Sequence, residues 1–409
     1  MSHRFAVLIA PCRGRFTRAS RCWRVTCGPV RRILSQPFVP SSHRLSDRLE
    51  YPSTSMRILY LFPYPIREEL AAASAGKAPS DRMYGVLELR RMGHTVDVSD
   101  SRWTGWFGRL VRWLRSFDIN IADLGTIRAM RRYDVVVIKD GFSLLLTWAG
   151  RLIGAQVVYL DCLFALPRRR WKVLAYRLNF RLAQRVVVSS RSQAETWSEF
   201  FALSPRPPQI LPCTIDCDFY QPRRSGTSLT GEYILSIGRD TGRDFPTLVE
   251  ATADTGMNLK LVTLPYLLSG IDLNLSYLQV LEQVSYEELF ELYAGAKFVV
   301  VPLKGQTTHP SGIRALFEAM VLEKAVICSR SPVLEEYFEE GQGVMYVEPE
   351  NILQLREAIR GLARSETTAS RLGQIGRRTV LQKYDMQALT NGLEGFLRDI
   401  ARKEVGAVQ

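Results

Sequence analysis

The sequence predicts an α/β protein with two doubly wound domains, each a parallel sheet covered by helices. Buried-strand runs alternate with helical periodicity from Met56 onward, and the same alternation restarts at Tyr233. A stretch rich in Pro, Gly and Ser, residues 205–228, separates the two series and has the composition of a linker. The chain of 409 residues also exceeds the roughly 250 to 300 residues that one hydrophobic core usually supports. We therefore place a first domain at residues 56–222 and a second at residues 230–385.

Residues 1–55 do not have the pattern of a folded domain. They carry 10 Arg against 2 acidic residues and show no sustained helical or strand period. We expect this extension to be disordered. Two origins remain open: a transit-type targeting segment, or a start codon assigned too far upstream, with Met56 as the natural first residue.

Charge is distributed unevenly along the chain, whose formal net charge is +13. Residues 102–191 carry 17 basic against 5 acidic side chains, whereas residues 231–385 carry 15 basic against 21 acidic ones. A basic first half predicts an anionic partner for that half. No base-reading motif accompanies the charge, so nucleic-acid binding is not expected.

Neither a transmembrane helix nor a zinc site is predicted. No apolar run approaches the roughly 20 residues that span a bilayer. Of the seven Cys residues, Cys213 and Cys217 form a close pair in the main body, but they lack a second ligand pair or a nearby His. We read the thiols as reduced and the compartment as cytoplasmic.

The first domain opens with a strand–helix–strand unit. Ile58 to Phe62 is the first strand, Ser80 or Asp81 caps a helix that runs through Arg91, and Thr95 to Val98 is the next strand. The long segment between strand and helix is a candidate binding loop at the carboxyl edge of the sheet. It lacks a Gly-x-Gly-x-x-Gly pattern, which argues against dinucleotide binding.

An amphipathic helix is predicted from Arg102 to Phe117. Trp103, Trp106 and Trp113 lie on one face, and four Arg side chains lie on the other. This composition is typical of a helix that lies on an anionic membrane. The alternative is an ordinary helix whose Trp side chains pack on the sheet. A second basic helix, predicted from Arg168 to Arg185, adds to the case for an anionic surface.

Asp161 follows the strand Gln156 to Leu160 at its carboxyl end, where doubly wound folds place functional groups. Its carboxylate is suited to orient an acceptor hydroxyl. Capping of the following turn is an equally good interpretation.

The second domain begins with the strand Tyr233 to Ile237 and a Gly-containing loop that carries Arg239 and Arg243. Guanidinium groups bind phosphate oxygens bidentately, so two Arg in such a loop suit a diphosphate. A surface loop in which Arg243 pairs with Asp244 is the alternative. Further along, Ser285 and Glu288 form a capping-box start for a helix.

The stretch from His309 to Ser329 reads as a loop, a helix and a strand, and it places Glu318 on the helix among apolar residues. A buried carboxylate is costly unless something donates to it, and a pair of sugar hydroxyls would be a suitable donor. A Glu solvated on the outer face of the helix is the alternative.

This stretch carries a resemblance to a known family. Its pattern Ser-Gly-x-x-x-Leu-Phe-Glu-Ala-Met, followed by Gly-x-Gly-Val-Met-Tyr-Val-Glu-Pro-Glu, resembles the donor half of the family 4 (group 1) glycosyltransferases. Those are GT-B enzymes in which two Rossmann-like domains face a central cleft. The resemblance implies a nucleotide-sugar donor, an acceptor hydroxyl, retention of anomeric configuration and no cofactor or obligatory metal. It also implies that the C-terminal helix, residues 386–409, crosses back to the first domain.

The resemblance implies a role for several residues. Glu318 would hold the ribose, the amides around Ser311 and Gly312 would face the diphosphate, and Arg239 and Arg243 would neutralise the leaving group. Two departures weaken the match: Pro310 stands where a second Glu often touches the donor sugar, and the usual His after the strand ending at Leu160 is absent. His309 would either take over the sugar contact or be incidental.

The expected function is therefore sugar transfer to a lipid-linked or glycan acceptor, in glycolipid or polysaccharide synthesis, by a protein held on the cytoplasmic face of a membrane. The competing expectation is a catalytically silent GT-B module that binds nucleotide sugar or docks on a membrane. Pro310 and the missing His favour the silent module, and Arg239, Arg243 and Glu318 favour the enzyme.

Overall fold

The computed structural model describes residues 55–62, 64–100, 124–139, 143–160, 166–167, 169–204, 206–222, 233–305 and 309–402. These residues form two six-stranded parallel sheets with helices, which confirms the predicted fold class. The predicted extension up to residue 54, the amphipathic helix Arg102 to Phe117 and Asp161 lie outside the described residues.

The first sheet has the strand order β2-β1-β3-β4-β5-β6. Strands β3 and β4 are buried along their whole length and are rich in Val, Ile and Leu, as expected for a parallel sheet with both faces covered. The strands are β1 (Arg57–Phe62), β2 (Thr95–Asp100), β3 (Val135–Lys139), β4 (Gln156–Leu160), β5 (Arg185–Val188) and β6 (Gln209–Ile210).

The helices around the first sheet depart from two predictions. The helix predicted from Ser80 or Asp81 is instead a 3-10 turn, Ser80–Met83, followed by a separate helix, because Tyr84 and Gly85 have positive φ values of 50° and 85°. The predicted helix Arg168 to Arg185 is also shorter, since Arg185 begins β5. The helices are α1 (Arg67–Ser74), α2 (Val86–Arg91), α3 (Leu124–Met130), α4 (Leu144–Ile153), α5 (Arg170–Leu182) and α6 (Arg191–Phe200).

The second sheet has the order β12-β11-β10-β7-β8-β9, which is the Rossmann order. Its order reverses between β7 and β10, and open α/β sheets bind ligands beyond the carboxyl ends of the strands at such a reversal. After these two strands, the structure describes residues 238–244 of one loop and residues 302–305 and 309–312 of the other. The strands are β7 (Tyr233–Ile237), β8 (Asn258–Val262), β9 (Leu278–Leu281), β10 (Ala296–Val301), β11 (Val326–Ser329) and β12 (Val344–Val347).

Helix termini in the second half follow the sequence closely. Ser285 and Glu288 make the predicted capping box, with both hydrogen bonds present. The last helix begins at Met386 as predicted, and the structure describes it through Arg402. The helices are α7 (Phe245–Thr252), α8 (Tyr286–Gly295), α9 (Ile313–Val321), α10 (Pro332–Glu335), α11 (Ile352–Arg364), α12 (Glu366–Lys383) and α13 (Met386–Arg402), and Pro265–Leu267 is a 3-10 turn.

The two sheet regions contact each other through helix α13 and through polar side chains. Leu393 and Leu397 of α13 belong to the same buried cluster as Ile58 of β1. Tyr337 donates to the Ser189 carbonyl at 2.6 Å and accepts from the Cys213 N–H at 2.9 Å. In the part of the chain that the structure describes, no helix is both long enough and apolar enough to cross a bilayer.

Candidate functional site

Asp240 joins the two loops at the reversal point of the second sheet. Its Oδ1 accepts from the Gly242 N–H at 3.1 Å and from the Ser311 hydroxyl, and its Oδ2 accepts from Arg243 Nε at 3.0 Å. Burial alone would raise the pKa of Asp240, but Arg243 and the hydrogen bonds from Ser311, Arg243 and Gly242 lower it below its usual value. Asp240 is therefore ionised at neutral pH and fixes the loop geometry.

Arg243 is buried, with 4% of its side chain exposed, and it is incompletely paired. Its Nε bonds to Asp240, whereas its Nη1 is buried without a hydrogen-bond partner among the described residues. Asp244 does not pair with it; that side chain accepts from the Thr247 N–H and caps α7 instead. A buried guanidinium nitrogen without an acceptor is costly, so this position is suited to a ligand oxygen.

The N-terminus of α9 lies beside this unpartnered nitrogen. Gly312 precedes the helix with a φ of 83°, and a Cβ there would come within 2.6 Å of Val301 Cγ1 and 3.5 Å of Arg243 Nη1. A side chain at Gly312 would thus be strained and would clash with Val301, and its Cβ would lie within van der Waals distance of the guanidinium. Because helix N-termini offer unpaired N–H groups and a positive dipole end, Arg243 and α9 together favour an anion.

Arg239 and His309 occupy different positions around this site. Arg239 is exposed, and its Nη2 donates to the Glu282 carbonyl at 3.2 Å. His309 is half-buried, and burial lowers the pKa of its imidazole while Asp240 opposes that shift. His309 is therefore neutral at pH 7. The structure brings Arg243, Ser311, Gly312 and His309 around Asp240, and it places the Arg239 guanidinium against another strand end.

Glu318 is buried on α9 at 5% exposure, so the alternative of a solvated side chain is wrong. Its donors are protein groups. Oε1 accepts from the Tyr220 hydroxyl at 3.0 Å and from Arg314 Nε at 2.9 Å, and Oε2 accepts from the Tyr293 hydroxyl at 3.0 Å. A carboxylate offers about four lone-pair positions, so Oε2 keeps capacity for one further donor.

Arg314 is a residue of this site that sequence reasoning missed. Besides Glu318, it pairs through Nη1 with Asp81 at 2.6 Å and through Nη2 with the Tyr220 hydroxyl at 3.1 Å. Asp81 lies in the 3-10 turn of the first sheet region, so Arg314 connects the two regions. Burial raises the pKa of Asp81, and Arg314 opposes that shift. The local signal was the i,i+4 pair of Arg314 with Glu318 on an otherwise apolar helix.

No group of three or more His, Cys, Asp or Glu side chains that could hold a metal ion occurs within the described ranges. Cys213, Cys217 and Cys328 are free thiols. Burial raises the pKa of Cys328 to about 12, so its thiol stays protonated at neutral pH.

Comparisons with known proteins find similarity to glycosyltransferases. Residues 250–394, which include α9, match a family model described as glycosyl transferase-like. A glycosyltransferase from Rickettsia africae has 15% identity and a TM-score of 0.63, over 85% of this chain and 99% of that one. Sucrose-phosphate synthase from Thermosynechococcus elongatus has 18% identity and a TM-score of 0.64, over 84% and 99%. HepE from Anabaena, solved with UDP and glucose, has 14% identity and a TM-score of 0.61, over 84% and 100%.

No curated protein sequence matches the chain. The structural likenesses, all at low identity, establish the fold, which is that of the GT-B glycosyltransferases. The matched segment, residues 250–394, is similar to glycosyl transferases, the class of enzyme that the sequence predicted. Within that class, the resemblance is to the group 1 glycosyltransferases.

Proposed function

We propose that this protein transfers a sugar from a nucleoside diphosphate sugar to an acceptor hydroxyl, with the donor diphosphate at the loops after β7 and β10. The observation that carries the proposal is the buried Nη1 of Arg243, which has no partner in the described part of the chain and lies beside the N-terminus of α9. A diphosphate oxygen there would complete the hydrogen bonding of the guanidinium. HepE, a structural neighbour, has been solved with UDP-glucose, which supports this donor class.

In the proposed reaction, the bond between the sugar carbon and the diphosphate oxygen breaks, the acceptor oxygen bonds to that carbon, and negative charge develops on the leaving diphosphate. Arg243 and the N-terminus of α9 at Gly312 stabilise that charge from fixed positions. The amide of Ser311, which the sequence also suggested, instead donates to the His309 carbonyl at 2.7 Å. Arg239 is exposed, and it would add a positive charge if its guanidinium left the Glu282 carbonyl for the diphosphate. No step requires a metal, and retention of configuration is part of the proposal.

Glu318 is proposed to hold the ribose through the remaining capacity of Oε2, next to the bond from Tyr293. His309, neutral at pH 7, is suited to a hydrogen bond with a sugar hydroxyl. The role of Asp161 on the acceptor side rests on its position after β4 in the sequence.

The acceptor is proposed to be a lipid-linked glycan or a polysaccharide at the cytoplasmic face of a membrane, in glycolipid or polysaccharide synthesis. The excess of basic residues between 102 and 191 supports an anionic surface as the partner of the first sheet region.

The test is a thermal-shift and hydrolysis screen of the full chain against UDP-, GDP- and ADP-sugars. We expect one donor to raise the melting temperature and to be hydrolysed slowly, and both effects to weaken in Glu318→Ala and Arg239→Gln. Arg371→Gln, on an exposed position of α12, is the matched control and should behave as wild type. Hydrolysis that survives EDTA would support the metal-free reaction.

Two outcomes would oppose the proposal in different ways. No stabilisation by any donor would contradict the site itself. Stabilisation by a donor without any release of nucleotide, even with membrane-extracted acceptor added, would identify a nucleotide-sugar-binding module instead of an enzyme.

A further inference from the structure

Helices α4 and α5 expose large apolar side chains on neighbouring surfaces. On α4, Trp148 and Leu152 are 54% and 66% exposed, and they are four residues apart on one face. On α5, Trp171, Leu174 and Leu178 follow at helical spacing and are 47%, 65% and 48% exposed. The two helices pack against each other on the first sheet, and their opposite faces fill its core. We call this surface, made by the five exposed side chains, the α4–α5 face.

Scattered exposed hydrophobic residues are ordinary, but a cluster that includes two Trp side chains indicates an interaction site. The other large hydrophobic residues that are exposed in the described chain are spread over distant elements. Trp197, by contrast, is 1% exposed and packs in the core of the same region. The α4–α5 face therefore exposes apolar side chains of the kind that the core of the same region buries.

The charge around the α4–α5 face has one sign. Residues 143–160, 166–167 and 169–185 contain seven Lys and Arg and no Asp or Glu. At 100° per residue, Arg170, Arg177 and Arg181 fall in one row beside the stripe of Trp171, Leu174 and Leu178. Apolar side chains bordered by Arg match the interface of an anionic bilayer, where acyl chains lie below phosphate groups.

An open groove of about 620 Å³ adjoins this row. Its apolar wall includes Leu166, Val173 and Phe200, and Arg170 and Arg177 border it. The groove combines a hydrophobic surface with two guanidinium groups. This combination suits a molecule that has a hydrocarbon chain and a phosphate.

We infer that the α4–α5 face docks on the surface of a bilayer that contains anionic phospholipid, with a lipid seated in the groove between α5 and α6. This surface lies on the first sheet region, whereas the proposed donor site lies on the second. The purpose of the docking rests on the proposed function, since it would hold the enzyme where a membrane-bound acceptor is available. Apolar burial and charge both contribute, so binding depends on anionic lipid and weakens in high salt.

The experiment is co-sedimentation of the full chain with vesicles of phosphatidylcholine alone and with vesicles that contain phosphatidylglycerol. Two double variants test the two contributions: Trp171→Ser with Leu174→Ser, and Arg170→Gln with Arg181→Gln. Each has a matched control on exposed positions of the second sheet region: Leu353→Ser with Leu381→Ser, and Arg371→Gln with Arg378→Gln. All replaced side chains are exposed, so melting temperatures should stay near that of wild type.

We expect wild type and both controls to bind phosphatidylglycerol vesicles and to lose binding on neutral vesicles. Each α4–α5 variant should bind about tenfold more weakly or worse. Absence of wild-type binding to anionic vesicles would overturn the inference. Binding by the Trp171 and Leu174 variant that equals wild type would also overturn it, because the contact would then lie elsewhere on the chain.

A donor-binding measurement on the same variants separates this inference from the proposed function. Variants that lose vesicle binding but keep stabilisation by the donor would support the α4–α5 face as a docking surface. Failure of every protein, wild type included, to bind donor would contradict the proposed function and leave the vesicle result standing.

Discussion

Arg243 and Arg314 both lie in the candidate site of the second sheet region, but they differ in how many guanidinium nitrogens have a hydrogen-bond partner in the protein. Arg243 is 4% exposed, yet its Nη1 has no partner in the described chain. Arg314 is 35% exposed, yet Nε, Nη1 and Nη2 all bond to protein oxygens. Arg314 is exposed enough for water to accept its hydrogen bonds, yet its acceptors are Asp81, Glu318 and Tyr220.

The difference indicates a structural role for Arg314 and a ligand-binding role for Arg243. Arg314 has no nitrogen left over among those three, so it stabilises the protein by connecting the first sheet region to α9. Arg243 has a buried N–H donor without an acceptor in the described chain, which costs free energy, and a bound anion would offset that cost. The unsatisfied nitrogen of Arg243, beside a helix N-terminus, is the feature of this pair that calls for a ligand.

The largest effect should follow from Arg243→Gln. It removes a fixed positive charge from the proposed leaving group, and we expect turnover with a donor sugar to fall by about 10² to 10³. The free energy of unfolding should change little, because the lost ion pair involves Asp240, which is 39% exposed. Donor hydrolysis kinetics and urea unfolding would measure the two quantities. Turnover within threefold of wild type would contradict the ligand-binding role of Arg243.

Arg314→Met should act on stability first. It leaves Asp81 and Glu318, whose side chains are 5% and 6% exposed, without their cation. Breaking a buried pair costs several kcal/mol, but water reaches part of Arg314, so we expect a loss of about 2 to 3 kcal/mol. Urea unfolding followed by circular dichroism would measure it. Arg314→Lys keeps the positive charge but not the several N–H donors of the guanidinium, so its loss of stability should be smaller. An unchanged unfolding midpoint for Arg314→Met would contradict the structural role.

Tyr293→Phe tests whether the carboxylate of Glu318 depends on its hydroxyl donors. A hydrogen bond to a charged group contributes about 1.5 to 3 kcal/mol, so this change should destabilise the protein by roughly that amount. Tyr277→Phe is the matched control, because its hydroxyl donates to the neutral carbonyl of Val249 and its loss should cost about 1 kcal/mol or less. Equal effects in both variants would argue against a special dependence of Glu318.

The smallest effect concerns pH and His309. Burial holds the pKa of His309 below its usual value of 6.5, so the unfolded chain takes up a proton at a higher pH than the folded chain does. The stability that comes from neutral His309 is therefore present above that value and is lost as pH falls through it. Melting temperatures at pH 7.5 and pH 5.5 should differ less in His309→Gln than in wild type. An equal change of melting temperature between the two pH values in both proteins would contradict the lowered pKa of His309.

Local patterns predicted much of the fold and only part of the site. The capping box at Ser285 and the helix Met386–Arg402 depend on neighbouring residues, so the sequence shows them directly. The apolar surroundings of Glu318 left two positions open, burial and the solvated outer face, and the structure shows burial. Its hydroxyl donors could not be read, because Tyr220 and Tyr293 lie 98 and 25 residues away in sequence.

The same limit explains why Asp240 and Asp81 were missed as parts of the site. Asp240 stands between the two predicted phosphate-binding arginines, but its bond to Ser311 spans 71 residues. Asp81 meets Arg314 across 233 residues. The first contact exists because parallel strands bring distant loops to one edge of a sheet, and the second exists because the two sheet regions contact each other. The spacing of residues within a single loop carries no record of either contact.

The most direct test of the diphosphate site is calorimetric titration of the full chain with UDP, GDP and ADP, in wild type and in Arg243→Gln. We predict that wild type binds at least one nucleoside diphosphate and that Arg243→Gln binds it tenfold or more weakly at an unchanged melting temperature. Equal affinity in the two proteins would show that the unpartnered nitrogen of Arg243 is not the diphosphate contact, and it would contradict the account of the donor site.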